Sequence, residues 1–195
     1  MKLSEIFHSI QGEGILSGVP SVFVRLSGCN LRCTWCDTPY TSWQPEGADT
    51  TIEEIAAKVS SYSCAHLVVT GGEPMIFPAV VELTRALKGL GLHITIETAG
   101  TLYQPVVCDL MSISPKLANS TPFERDGGRW AAQHERLRYQ PEVLRRLMSE
   151  YDYQLKFVVS DPGDLAEIET VLQEVKADRN RVVLMAEGTS REAIA

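Results

Sequence analysis

The sequence predicts an α/β fold with a sheet of about six mostly parallel strands. Two observations predict it. Short, β-branched apolar runs alternate with segments of helical periodicity, which calls for crossover helices between parallel neighbours. Each run also leads directly into a polar cluster, and in α/β sheets and barrels ligands gather at the carboxyl ends of strands. The chain has 195 residues, enough for one sizeable core, and residues 1–195 are read as one domain.

Leu3 to Ile10 leads into Gln11-Gly12-Glu13-Gly14, where two glycines beside an acid make a turn that backbone can present to a ligand. Pro20 to Leu26 is the first strand. A loop carrying Cys29, Cys33 and Cys36 follows, and Asp37-Thr38-Pro39 leaves it with a proline set against an immediate helix. Thr50 or Thr51 caps a helix with Glu53 and Glu54 in its first turn and Ile52, Ile55, Ala56 and Val59 at helical spacing. His66 to Thr70 is the second strand and runs into Gly71-Gly72-Glu73-Pro74. A helix follows from Pro78 to Leu90, ended by Gly89 and Gly91. The strand His93 to Glu97 enters Thr98-Ala99-Gly100, and Val106 to Ser112 is a strand entering Ser114-Pro115-Lys116. Asn119 to Trp130 is polar and turn-rich, a loop or lid. Pro141 to Tyr151 is helical, Gln154 to Val159 a fifth strand, Asp164 to Lys176 a helix and Arg181 to Met185 a sixth strand. The cysteine loop, the glycine turn, Glu97 to Gly100, Ser114 to Lys116 and the stretch after Met185 should therefore meet at one mouth.

A net charge of −7 argues against nucleic acid, which requires a basic surface. The one basic cluster, Arg136, Arg138, Arg145 and Arg146, reads as a solvated helix face. No apolar run approaches the length of a membrane helix, and Met1 to Glu5 has no basic segment before an apolar one, so neither a span nor a signal peptide is expected. That places the chain in the cytoplasm, where thiols stay reduced. Five cysteines, three of them within eight residues, suit metal ligation better than a disulfide framework.

Three thiolates at C-x3-C-x2-C spacing suggest a metal centre with one open position. Iron–sulfur clusters take cysteine thiolates, usually four, so three leave one iron free for substrate or cofactor. Structural zinc requires a closed set of four ligands. Cys64 and Cys108 are the candidates for a fourth, each near a strand or helix end. His8, His66, His93 and His134 are scattered and read as surface or core histidines. Spacing alone leaves both metals open.

With Trp35 before its third cysteine, the motif Cys29-x3-Cys33-x-Trp35-Cys36 resembles the signature of radical S-adenosylmethionine (SAM) enzymes, and Gly71-Gly72-Glu73-Pro74 resembles their GGEP turn. Ile10 to Gly14, Phe23-Val24-Arg25, Cys36-Asp37-Thr38, Glu97-Thr98-x-Gly100, Ser114-Pro115-Lys116 and Gln154 to Val159 extend the resemblance, across nearly the whole chain, to the 7-carboxy-7-deazaguanine synthase family. The resemblance implies an incomplete, modified (β/α) barrel, open on one side, and a homodimer. It implies a [4Fe–4S] cluster on Cys29, Cys33 and Cys36, with SAM chelating the open iron. It implies SAM contacts from Gly72, Ser114, Pro115, Lys116, Met185, Ala186, Glu187 and Gly188. Pterin contacts would come from Ile10, Gln11, Gly12, Arg25 and Thr70, with Arg25 on the substrate carboxylate and a further contact from Glu13. Thr38 would be a magnesium ligand. Asp37 stays open between a second ligand and a loop-capping acid, and Glu97 between a cofactor and a substrate contact. The reaction implied turns 6-carboxy-5,6,7,8-tetrahydropterin into 7-carboxy-7-deazaguanine with loss of ammonia, with flavodoxin or ferredoxin as electron donor. Glycyl-radical-enzyme activases share the short chain and the cluster motif; Gln11 to Gly14 with Arg25 and Thr38 favour the synthase. The chain stops at Glu192-Ala193-Ile194-Ala195, in what reads as the start of a helix, whereas family members continue and close the pocket there.

Overall fold

A computed structural model describes residues 1–188. The expected helix start at Glu192 lies outside them. Among the described residues one sheet contains eight strands: β1 (Lys2–Ile10), β2 (Pro20–Leu26), β3 (Ala48–Asp49), β4 (His66–Gly71), β5 (His93–Thr98), β6 (Leu110–Ile113), β7 (Tyr153–Val159) and β8 (Val182–Ala186). The spatial order is β3-β1-β2-β4-β5-β6-β7-β8. From β2 to β8 every pairing is parallel, whereas β1 pairs antiparallel with β2 and β3. The sheet does not close. The six expected strands are thus the six parallel ones, and β1 and β3 are additions at the β2 edge.

The sequence hides β1 for a physical reason. A register shift between Leu3 and Glu5 interrupts the alternation of its side chains, so no period of two is visible. The strand expected from Val106 begins only at Leu110, because the preceding apolar stretch bonds elsewhere: Val107 N–H donates to Thr84 Oγ1 at 3.1 Å.

The helices are α1 (Pro39–Ser42), α2 (Ile52–Ser60), α3 (Val80–Lys88), α4 (Ala131–Arg138), α5 (Pro141–Glu150) and α6 (Asp164–Val175). Pro39 does not block α1 but opens it, since the N–H of a first helical residue has no intrahelical hydrogen bond to lose. Helix α2 starts on a capping box: Glu54 N–H donates to Thr51 Oγ1 and Thr51 N–H to the Glu54 carboxylate. Helix α4, unassigned in the sequence, follows the turn-rich stretch. The basic cluster is only partly a solvated face: Arg138 bridges Glu135 and Glu167 with its side chain 14% exposed.

Alternation along the parallel strands divides the molecule. Val22, Val24, Leu67, Val69, Ile94, Ile96, Met111, Ile113, Leu155 and Phe157 form a core with Ile55, Val59, Leu83, Leu87, Leu144, Leu147, Ile168 and Val171 of the helices. Burying each such side chain contributes about 1.5–3 kcal/mol. The intervening residues Phe23, Arg25, Thr70, Glu97, Ser112, Lys156 and Val158 line a cavity on the other face. Helices outside and a polar hollow inside make this the expected incomplete barrel.

Candidate active site

The hollow is a cavity of about 670 Å³ at the carboxyl ends of the parallel strands. Cys29, Cys33, Cys36, Thr38, Ile10, Gln11, Gly12, Arg25, Thr70, Gly72, Ser114, Lys116 and Met185 to Gly188 all line it. Pro115 does not; it is buried in the turn between Ser114 and Lys116.

The cysteine loop leaves β2 and is held from several sides. Arg32 turns back to donate from Nη1 to the carbonyls of Cys29 and Leu31, at 2.8 and 2.7 Å. Trp43 Nε1 donates to Cys33 O at 3.1 Å, and Arg125 Nη1 to Thr34 O at 2.8 Å. The stretch expected as a loop or lid is a strut: Thr34 N–H donates to Ser120 O at 2.8 Å, and Trp35 Nε1 to Asn119 Oδ1 at 3.3 Å. Gly72 shapes the other wall. A Cβ there would run into Gly28 O and the Cys29 side chain, so only glycine lets the turn approach the loop this closely.

Burial pushes the Cys29 thiol up to about 12 and the Cys33 thiol to about 11, the latter opposed by the nearby Lys116 ammonium. These thiols stay protonated until a metal takes the proton's place. All five cysteines are free. Cys64 and Cys108 do not line the cavity; Cys64 Sγ is engaged by Pro20 O and His66 O at 3.2 and 3.3 Å. Among the described residues no three His, Cys, Asp or Glu side chains are gathered closely enough for a single metal ion. Among the described residues no fourth cysteine and no histidine lines the cavity, so these thiols do not complete a structural zinc set of four. They suit an iron–sulfur cluster with one iron left open.

A row of polar side chains crosses the cavity floor. Arg25 is in register with Thr70, Glu97 with Ser112, and Ser112 with Gln154. Glu97 accepts from Thr70 Oγ1 at 2.8 Å and from Gln11 Nε2 at 3.1 Å, so it fixes two of the expected pterin contacts. Arg25 gives Nε to Glu5 Oε1 at 2.9 Å; its two terminal nitrogens have no hydrogen-bond partner among the described residues. Ile10 is 63% exposed, so any contact it makes inside comes from its backbone. Thr38 donates to Asp37 Oδ1 at 3.3 Å, and its hydroxyl is 4.0 Å from Cys36 Sγ. Glu73 turns away from the cavity. Fully buried, it accepts from Met75 N, Thr98 Oγ1 and Ala99 N at 3.0, 2.8 and 2.7 Å, tying the glycine turn to the end of β5. Burial raises its pKa against those donors.

The sequence reading missed the part played by His134. Arg32 N–H donates to His134 Nδ1 at 3.1 Å, which leaves the proton on Nε2, 2.9 Å from Ser120 Oγ. The ring thus joins the cysteine loop to the strut. No periodicity announces such a contact, because its partners lie 102 and 14 residues away. Burial lowers the His134 pKa from 6.5 to about 4. The folded chain therefore favours neutral His134, and its contribution is complete above the unfolded value and lost as pH falls toward 4. Denaturant unfolding of the metal-free chain should show wild type losing on the order of 2 kcal/mol more than His134→Gln between pH 7 and pH 4.5. Parallel losses would refute this coupling.

Residues 23–116 match the Radical SAM superfamily. The chain is similar to the 7-carboxy-7-deazaguanine synthase of Halobacterium salinarum, 47% identical over 97% of this chain and 78% of that one. It is 45% identical to the enzyme of that name from Rhodopirellula baltica, over 98% of this chain and 75% of that one. The crystal structure of QueE from Escherichia coli superposes with a TM-score of 0.73 at 27% identity, covering 98% of this chain and 85% of that one. TYW1 with a lysine-pyruvate adduct, at 12% identity and a TM-score of 0.64 over 88% of this chain and 66% of that one, shares the fold.

Proposed function

The chain belongs to the 7-carboxy-7-deazaguanine synthases of the radical SAM superfamily, and on that premise we propose how its residues divide the work. The reaction converts 6-carboxy-5,6,7,8-tetrahydropterin to 7-carboxy-7-deazaguanine with release of ammonia, a step of queuosine and deazapurine biosynthesis. The observation that carries the assignment is the meeting of three spaced thiols with the Arg25–Thr70–Glu97 row in one cavity.

Cys29, Cys33 and Cys36 would hold a [4Fe–4S] cluster. When bound, it supplies the electron that cleaves SAM and starts hydrogen abstraction from the pterin. Gly72 and the Ser114–Lys116 turn would seat SAM, with Met185 to Gly188 behind it. The free end of the Arg25 guanidinium matches a carboxylate, which two parallel N–H groups bind in one orientation. Gln11 and Thr70, both anchored on Glu97, would meet the pterin ring, with Ile10 and Gly12 adding backbone contacts. Their task is orientation and exclusion of water around a reactive carbon. Thr38 is the proposed magnesium ligand. A neutral hydroxyl holds magnesium only with substrate oxygens and waters completing the shell, so the ion should follow the pterin in.

The electron donor is inferred to be an acidic carrier such as flavodoxin or ferredoxin. Supporting this, the outer side of the cysteine loop presents Trp43 under Arg125, at 4.0 Å, and Trp130 with the guanidinium groups of Arg32 and Arg129 each 5.0 Å from its ring centroid. A homodimer is inferred, supported by Leu184 standing 51% exposed on the edge strand β8. A reducing, cytoplasmic location is inferred from the five free cysteines; no helix among the described residues is long and apolar enough to cross a membrane. The activase alternative is not favoured, because relatives named as the synthase align with nearly the whole chain.

Anaerobic incubation of reconstituted protein with the carboxytetrahydropterin, SAM, reductant and magnesium should yield 7-carboxy-7-deazaguanine. No product from protein with an intact cluster would sink the assignment.

A further inference from the structure

Residues 11–15 cross the mouth of the open barrel and are fastened on its far side. They follow β1 in the β1–β2 connection, yet Glu13 and Ile15 are bonded to β7, four strands beyond β2 in the sheet. Glu13 forms an ion pair with Lys156. Ile15 N–H donates to Gln154 Oε1 at 2.8 Å, and Gln154 Nε2 donates on to Ser112 Oγ at 2.7 Å. Gly14, at φ 75°, has no room for a Cβ because Gln154 fills that space. Gln154 and Lys156 are two residues apart on one strand, so they share its cavity-side face, where Lys156 lines the hollow. Both are well buried, at 3% and 7% exposure. A lysine buried this far needs a partner, and Glu13 is its one ion-pair partner among the described residues.

We propose that Lys156 and Gln154 are positioning residues, which clasp the glycine loop through Glu13 and Ile15 and so present Gln11 and Gly12 to the pterin. The sheet does not close on itself, so this loop supplies the closure between its β2 and β7 sides. The proposal rests on the reading of the cavity as a pterin site. It adds that loop order, and not a direct contact from Lys156, sets substrate affinity. Charge carries the clasp: a neutral side chain at position 13 leaves the Lys156 ammonium buried without a partner, and one at position 156 leaves the part-exposed Glu13 carboxylate nothing to hold it against β7.

The test combines hydrogen exchange with substrate binding. In the cluster-loaded enzyme without pterin, Lys156→Met and Glu13→Gln should each raise exchange of the Glu13 and Ile15 amides about tenfold or more, the loss expected for a charge-assisted hydrogen bond. Each should weaken pterin binding by a similar factor while leaving the cluster absorbance unchanged. Lys156→Arg should restore protection, as should the exchanged pair Glu13→Lys with Lys156→Glu. Unchanged exchange in both neutral variants would overturn the clasp. Weakened binding in Lys156→Met alone, with exchange as in wild type, would overturn it too, by making Lys156 a direct substrate contact. Glu13 has a side chain 41% exposed, so Glu13→Gln keeps the test decisive if Lys156→Met fails to fold. Exchange is read without turnover, so a wild-type enzyme that bound no pterin would refute the assigned reaction while the clasp was still being measured.

Discussion

Cys33→Ala should abolish the cluster and, with it, all SAM cleavage. Cys33 is the most enclosed of the three thiols, 8% exposed, with Leu31 and Ala99 packed beside it. Its carbonyl is held by Trp43 and its neighbours by Ser120 and His134, so the loop backbone should survive removal of one sulfur atom. Two thiolates cannot replace three, and among the described residues no spare thiol lines the cavity. Cys64 is occupied outside the cavity, and Cys108, pushed up to about 12 by burial, does not line it. The reconstituted variant should lack the broad visible absorbance of an iron–sulfur protein while its far-ultraviolet circular dichroism matches wild type. An unchanged visible spectrum would remove Cys33 from the ligand set. Retained folding is the informative half of the result, because it separates a missing ligand from a collapsed loop.

What the sequence made legible follows from how local each signal is. The six parallel strands read as short runs rich in apolar and β-branched residues, because helices cover one face throughout and polar residues enter only where the cavity lies against the other. The three cysteines fall within one loop, and the glycine turn directly follows a strand, so neither needed long-range information. Strand β1 was hidden by its register shift, and α1 by reading Pro39 as a stop when it stands at a first helical position. Pairings across the sheet were out of reach. The stretch from Gln154 to Val159 is recognisable as a strand, but nothing in its order says that Gln154 and Lys156 grip residues 13 and 15. Glu97 likewise declared itself as a polar strand end; its hold on Gln11 and Thr70 depends on the strand order of the folded sheet.

Arg25→Ala should raise the dissociation constant of the carboxytetrahydropterin about a hundredfold, the 2–3 kcal/mol lost when one member of a buried, hydrogen-bonded charge pair is removed. The argument begins with how Arg25 is already held. Its Nε is committed to Glu5, which also accepts from Tyr40 Oη at 3.0 Å, and its guanidinium lies 5.5 Å from the Phe7 ring centroid. Those contacts fix the plane of the side chain before substrate arrives, so little rotamer freedom is lost on binding. Arg25→Lys keeps the charge but not the fork, and should fall between wild type and alanine. Cleavage of SAM in the absence of pterin should persist in both variants, because the cysteine loop is braced by Trp43, Arg125, Ser120 and His134 and not by Arg25. Loss of cleavage together with pterin binding would mean that the Glu5–Arg25–Tyr40 group supports the start of α1 and, through it, Cys36. The two outcomes are told apart by the cluster spectrum and by titration with SAM alone. A specific loss of pterin affinity places the substrate carboxylate at the free end of Arg25, between the polar row and the cluster loop.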